Sequence, residues 1–455
     1  MEFSQTTFGA EYNLIQREGR DTYYQYEATF VTDKKELPVL SVVSVDRIRD
    51  YRKAVTDEVL IKVAVSWGEY LHNVLPYKEN LRMTVVRQAI ARSGAFITSA
   101  RLEQTFIAHL PVEAETGMLS DSPETATQFA ADLSGIRIVQ VQLAEEAFDR
   151  VRSEMVGGAF PDCRPYDILM ALLVESMKNM DLDQAVAIKG INAVEPSNQV
   201  KRRHTLLPHG TPLVQVADKL QTQYGGIYST GIGCYLQGGQ WYIWPLYNYK
   251  RYDEAEYTAL FILAPSQRYR GIELTHRVVD KHFVALITGG VKRLDPSEAR
   301  LLNEGNGTRF ANTSTAMDGF FEVSGNKAVA KRTNNANEYE AIHRKGSSMS
   351  RVSEDMATSN AFHEASKLAE RNGAYFVMLW ENSNPDLITP GLQCEVGFIV
   401  NGEPAFVNAV VVHAHAYSAL AGTGLHQKVH QTTTEVVVLV DRLSPAYQAY
   451  LDEQT

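Results

Sequence analysis

The chain has 455 residues, 44 Lys and Arg against 54 Asp and Glu (net charge −10), and 44 % apolar residues. This is the composition of a soluble globular protein too long for one small core, and its length predicts about three domains. No run of about 18 apolar residues occurs, which excludes a helical membrane span, and Met1–Phe8 lacks the regions of a signal peptide.

Three scattered cysteines, Cys163, Cys234 and Cys394, argue against a disulfide framework or a cysteine metal site and fit a reducing cytoplasm. In that compartment the sequons at Asn306 and Asn312 carry no meaning. The acid is concentrated. Residues 1–110 hold 14 basic and 14 acidic side chains, residues 111–200 hold 6 and 15, and the remainder 24 and 25. No part is basic enough to mark a nucleic-acid binder. The run Lys201-Arg-Arg-His204 reads as a solvated loop.

Tyr24, Tyr26, Ala28 and Phe30 alternate with polar residues, which predicts a half-buried strand. Val39–Val45 and the alternating set from Val59 to Trp67 predict two more. A short helix to Leu75 follows, then a strand at Leu81–Arg87 and a pair of strands within Phe96–Leu110. Residues 1–110 thus read as a small antiparallel barrel or sandwich. Residues 111–205 read as an acidic, mainly helical insert, with helices at Pro123–Leu133, Glu145–Met155 and Asp162–Met180.

Thr211-Pro212 reads as a hydroxyl cap followed by proline at the first helical position. Leu213, Val216, Ala217, Leu220 and Tyr224 share a helical face, and Gly225-Gly226 ends the helix. Ile227–Leu246, with Gly231, Gly233, Gly238 and Gly239, predicts a strand, a tight turn and a strand. Residues 251–373 read as a mixed insertion, loop-like around Asn303–Phe310, with a helix at Asn360–Asn372. Residues 374–443 return to strands: Tyr375–Trp380, Gln393–Val400, a turn at Asn401-Gly402, Ala405–His415 and Thr432–Val440. Residues 444–455 are a C-terminal tail. The fold class expected is α+β and β-dominated. Joining 206–250 with 374–443 gives a second barrel like the first.

Four groups of residues suggest chemistry. His413, His415, His426 and His430 lie close enough in sequence to suggest a transition-metal site, but surface or interface histidines fit better. Gly231-Ile-Gly233 leads into no helix and Gly305-Asn-Gly307 lacks a lysine, so neither is a nucleotide loop. No nucleophile elbow or metalloprotease motif occurs, and Asp181-Leu-Asp183 reads as loop capping. The aromatic run from Trp241 to Tyr252 suggests a sugar-stacking platform, yet its strand is apolar on both faces. That pattern favours burial against a core on one side and a subunit on the other. Trp241, Tyr242, Trp244 and Tyr247 are therefore the candidate interface. Trp244→Asp is expected to block oligomerisation and leave the monomer folded.

The chain resembles the central hub protein of contractile phage baseplates, a family related in fold to the hub part of type VI secretion spikes. The resemblance is carried by Tyr51–Leu81 (with Trp67-Gly-Glu-Tyr70 and Leu75-Pro-Tyr-Lys-Glu-Asn-Leu81) and by Leu207-Pro-His-Gly-Thr-Pro-Leu213 with Gln223-Tyr-Gly-Gly-Ile-Tyr228 and Trp241–Tyr247. Gly325-Asn-Lys327 through Asn337-Glu-Tyr339 and Asn384–Leu392 complete it. It implies two tube-like β-barrel domains per subunit and a homotrimer whose six barrels form a pseudo-sixfold ring. Such a ring joins a sixfold tail tube to a threefold central spike in the virion, and phage DNA passes its lumen without sequence-specific binding. The implied partners are the tube protein, the spike, other baseplate proteins and a tape measure protein. Synthesis in the bacterial host cytoplasm is implied, with no enzymatic activity, catalytic residue, cofactor or metal. A carbohydrate-binding or receptor-binding tail protein using residues 241–252 is the alternative, and a metal-dependent enzyme a further one.

Overall fold

A computed structural model describes residues 7–19, 23–90, 96–110, 135–180, 186–263, 274–294, 307–310, 321–324, 327–330, 339–342, 361–421 and 429–454. In chain order the elements begin with α1 (Thr7–Glu18), β1 (Tyr23–Val31), β2 (Glu36–Pro38), β3 (Ser41–Asp50), β4 (Glu58–Ser66), α2 (Trp67–Asn73), β5 (Arg82–Ile90), β6 (Phe96–His109) and β7 (Ile136–Ala144). Next come α3 (Glu146–Ser153), β8 (Met155–Cys163), α4 (Pro165–Asn179), β9 (Gly190–Ala193), β10 (Arg202–Pro212), α5 (Leu213–Gln223), β11 (Ile232–Gln237) and β12 (Gln240–Pro245). They continue with β13 (Thr258–Leu263), β14 (His276–Val279), β15 (His282–Ile287), β16 (Val291–Leu294) and four short strands, β17 (Gly307–Phe310), β18 (Phe321–Ser324), β19 (Lys327–Ala330) and β20 (Tyr339–Ile342). Last are α6 (Ala361–Asn372), β21 (Gly373–Glu381), β22 (Gln393–Val400), β23 (Glu403–Leu420), β24 (His430–Asp441) and α7 (Pro445–Gln454). The fold is α+β, dominated by strands and by one large sheet.

That sheet returns on itself twice. The first circuit of hydrogen-bonded neighbours runs β23, β3, β4, β7, β6, β5, β1, β24 and back to β23. Alternation explains its filling: Val59, Ile61, Val63 and Val65 of β4 point inward with Tyr26, Ala28 and Phe30 of β1, and polar neighbours face out. Burying each such aliphatic side chain contributes about 1.5–3 kcal/mol. Helix α2 adds Tyr70 to this core and stacks Trp67 on it, with ring centroids 5.4 Å apart.

The second circuit runs β23, β22, β13, then the segment β15–β16, then β21 and β24. The amides of Gly289 and Leu379 bond across at 3.1 and 3.0 Å where β15 hands over to β16. Its core holds Phe261, Phe283, Phe376, Trp380, Val396, Phe398 and Val438. Phe283 stacks on Trp380 at 5.8 Å. Helix α7 covers this core with Tyr447 and Tyr450.

Strands β23 and β24 belong to both circuits. One face of β24 lines the two interiors in succession, with His430, Thr432 and Thr434 at the first and Val436, Val438 and Val440 at the second. A bulge between Val411 and His413 shifts β23 by one residue. Ala414, Ala416 and Ser418 thereby take over the buried side from Val407, Ala409 and Val411.

Several boundaries differ from those expected. Residues 206–250 do not pair with 374–443. β10 pairs with β8, and β11 and β12 form a small sheet with β9. Together with α3, α4 and α5 they enclose a separate core around Leu169, Leu173, Val216, Leu220 and Trp241. The strands that complete the second circuit come instead from 258–294, inside the expected mixed insertion. β7, expected in the helical insert, belongs to the first circuit. β6 is one long strand rather than two, and 307–310 is a strand. The presumed tail is α7. Helix α1 packs Phe8 and Ile15 on Ile262, Val284 and Leu286, outside the second circuit rather than with the first. Pro212 is the cap of α5 and not its first residue, because the Thr211 hydroxyl turns back to the Pro208 carbonyl at 2.8 Å. The helix expected at Pro123–Leu133 lies outside the described residues.

Candidate assembly site at the junction of the two circuits

A polar belt separates the two apolar cores. Ser383 bonds Thr434 at 2.6 Å and Ser418 bonds Thr432 at 2.7 Å, all four buried. Tyr24 donates to Asn384 at 3.3 Å. Beside the belt, the backbone of β3 places Arg47 and Arg49 on the same inward side as Val45. Arg49, 2 % exposed, donates to Asp57 at 3.0 Å and to the Pro385 and Ile388 carbonyls at 2.6 and 3.0 Å. Arg87 holds Asp386 in a two-pronged ion pair, and Arg47 reaches the same carboxylate at 3.5 Å. Asp57 also accepts from the Tyr235 hydroxyl at 3.0 Å.

These contacts tie three regions together. Arg47, Arg49, Asp57 and Arg87 come from the first circuit, Asp386 and its loop from the second, and Tyr235 from the small sheet. Burial pushes the Asp386 carboxyl up, but Arg87, Arg47 and Arg49 outweigh it and hold it at about 2. Burial, then the neighbouring Asp57 charge, pushes the Glu145 carboxyl above its usual range. Asp57 and Asp386 lie in stretches that carry the resemblance, but neither they nor the arginines drew a role from the sequence motifs. The signal was present, because Arg47 and Arg49 interrupt the inward side of a strand, and a buried arginine needs a carboxylate.

The aromatic strand β12 is the wall between two interiors. Trp241 and Ile243 enter the core of the helical region, and Trp244 and Leu246 enter that of the second circuit. Tyr51 meets Trp244 edge-on at 5.8 Å. Gly391 is required there: its φ is +75°, and a Cβ would come within 2.9 Å of the Trp244 ring. Burial on both faces is thus as expected, but both coverings belong to the same chain. Trp241 and Trp244 are 1 % and 3 % exposed and cannot touch a second copy or stack on a sugar. Only Tyr242 and Tyr247 of the candidate interface retain accessible surface.

The histidines do not converge. His413 and His415 share the outer side of β23, where His415 bonds Asp46 at 3.0 Å. Burial pushes the His413 pKa down. His430 is buried at the interior of the first circuit and bonds the Val42 carbonyl at 3.0 Å. His426 lies outside the described residues. Among the described residues no three His, Cys, Asp or Glu side chains are grouped to hold a metal ion. Cys234 is pushed up to about 12 by burial, which removes its reactivity as a thiolate. Among the described residues no helix is long and apolar enough to cross a membrane.

No protein-family model and no curated protein matches the chain. Solved structures similar to it include a tail protein from Neisseria meningitidis, at 11 % identity and a TM-score of 0.47, covering 93 % of this chain and 99 % of that one. A 43 kDa prophage tail protein from Shewanella oneidensis matches at 8 % identity and 0.47, covering 90 % and 98 %. A type VI secretion component from E. coli, itself similar to T4 bacteriophage tail proteins, matches at 8 % and 0.40, covering 92 % and 78 %.

Proposed function

We propose that this chain is a structural protein of a contractile tail, the hub of its baseplate. The observation that carries the reading is the pair of closed strand circuits sharing β23 and β24 within one subunit. We read each circuit as a barrel. Two barrels per chain and three chains per ring give six barrels, the number needed to meet a sixfold tube on one side and a threefold spike on the other. Both interiors are filled with side chains, so the DNA passage of such a ring lies at its centre and not through a barrel. The polar junction fixes the angle between the two barrels, which a ring of alternating barrels needs. Tyr242 and Tyr247 are the remaining members of the proposed subunit interface.

The test is the mass of the purified protein by light scattering, with negative-stain images of the same fraction. The hub reading predicts rings of three chains of 50.8 kDa, about 150 kDa. A monomer that stays monomeric when mixed with a spike protein would overturn it.

A further inference from the structure

Strand β9 ends the small sheet, and only one of its sides is paired. Val194 donates its amide to the Ile243 carbonyl at 2.8 Å. Backbone groups alternate between the two sides of a strand, so Asn192 also faces β12. Ile191 and Ala193 therefore turn their N–H and C=O groups to the free side, and among the described residues these groups have no hydrogen-bond partner. One face of β9 beside this edge is accessible: Asn192 is exposed, and a methyl group added at Gly190 would meet nothing within 4 Å. Within Gly190-Ile-Asn-Ala193 there is no charge and no proline, so only the strand's shortness and the flanking Lys189 and Glu195 limit pairing at this edge.

The edge runs into a cleft of about 640 Å³ between the small sheet and the second circuit, lined by Ala193, Tyr242, Tyr257 and Leu392. That volume is within the roughly 300–1,000 Å³ of pockets that bury a ligand. At its rim both cations are already neutralised, Arg251 by Glu254 at 3.5 Å and Lys281 by Glu256. Glu195, exposed two residues past β9, makes no close ion pair among the described residues, although its charge is felt at Arg164. We infer that β9 and this cleft accept an extended segment of a partner protein. The segment adds to β9 by main-chain hydrogen bonds, buries an apolar side chain against Ala193 and Tyr257, and sets a Lys or Arg against Glu195. This inference does not depend on the hub reading.

The test uses two fluorescein-labelled peptides, Thr-Val-Lys-Val-Lys-Val-Thr and the same peptide with Glu for Lys, titrated with the full chain by fluorescence anisotropy. The native protein is expected to bind the lysine peptide about tenfold tighter than the glutamate peptide. Ala193→Pro removes an outward amide and leaves the amides that face β12, so it is expected to weaken the lysine peptide about tenfold while circular dichroism and mass stay unchanged. Glu195→Lys is expected to reverse the preference. Absence of binding to the native chain, equal binding of the two peptides, or full binding by a folded Ala193→Pro overturns the inference. If Ala193→Pro does not fold, Glu195→Lys decides, and an unchanged preference overturns it. A native chain that binds neither peptide but loses its oligomeric mass in Ala193→Pro places a second copy on this edge instead.

Discussion

The first circuit closes through antiparallel neighbours alone, whereas the second contains two parallel joins, β13 with β15 and β13 with β22. Antiparallel neighbours need only a turn, but parallel neighbours need a crossover. The chain's added material follows that difference. The segment from β16 through β20 and α6 to β21 lies between β15 and β22, within the return that a parallel partner of β13 demands. Otherwise the circuits match. Each is closed over by one helix presenting tyrosine, Tyr70 of α2 and Tyr447 of α7, and each is completed by β23 and β24. What the two circuits share is therefore the seam and the cap, and the connections vary.

The largest effect is expected where the second circuit meets the helical region. Trp244→Asp buries a carboxylate against the Tyr51 ring and Gly391, in the apolar core that Trp244 now fills. The chain should then show no cooperative unfolding transition by circular dichroism, in place of the folded monomer that the sequence alone suggested. Arg49→Met comes next. It leaves the Pro385 and Ile388 carbonyls without their donor and Asp57 with Arg47 at 3.7 Å, at a cost of about 3–5 kcal/mol in urea unfolding.

The two caps allow a matched test. Tyr70→Ala and Tyr447→Ala should each cost about 3 kcal/mol. Because β23 and β24 serve both circuits, calorimetry should still show one transition in each variant. Two separated transitions would break the comparison and make the circuits independent. The smallest effect concerns Asp386. Its carboxyl is held at about 2 against an ordinary 3.8, so its contribution is present above 3.8 and lost as pH falls toward 2. The side chain is 41 % exposed and water screens it, which keeps the effect small. Asp386→Asn should lose less stability than the native chain over that interval. An identical acid profile would remove Asp386 from the junction's electrostatics.

Much of the first circuit was legible, because its strands alternate with period 2 and the Asn401-Gly402 turn of the second announces its hairpin. Helices α3, α4, α5 and α6 were legible for the same reason at the helical period. Which strands pair was not. β12 is apolar on both faces whether its neighbours are another sheet or another chain, so composition could not choose between them. β13 and β15 are continuous apolar runs, Ala259–Leu263 and Phe283–Ile287, that offer no alternation to mark a face. The junction was hidden for another reason. Its arginines and carboxylates lie up to 339 positions apart, and no local pattern records such a pairing.

The shared seam also sets an order of events during synthesis. Strands β1 to β7 leave the ribosome as an open sheet with two unpaired edges, since their closing partners lie between residues 403 and 441. About 260 residues of chain must follow β7 before β23 appears. The nascent protein thus carries an unfinished, aggregation-prone edge through most of its translation, and neither ring closes until almost the last residue has been added.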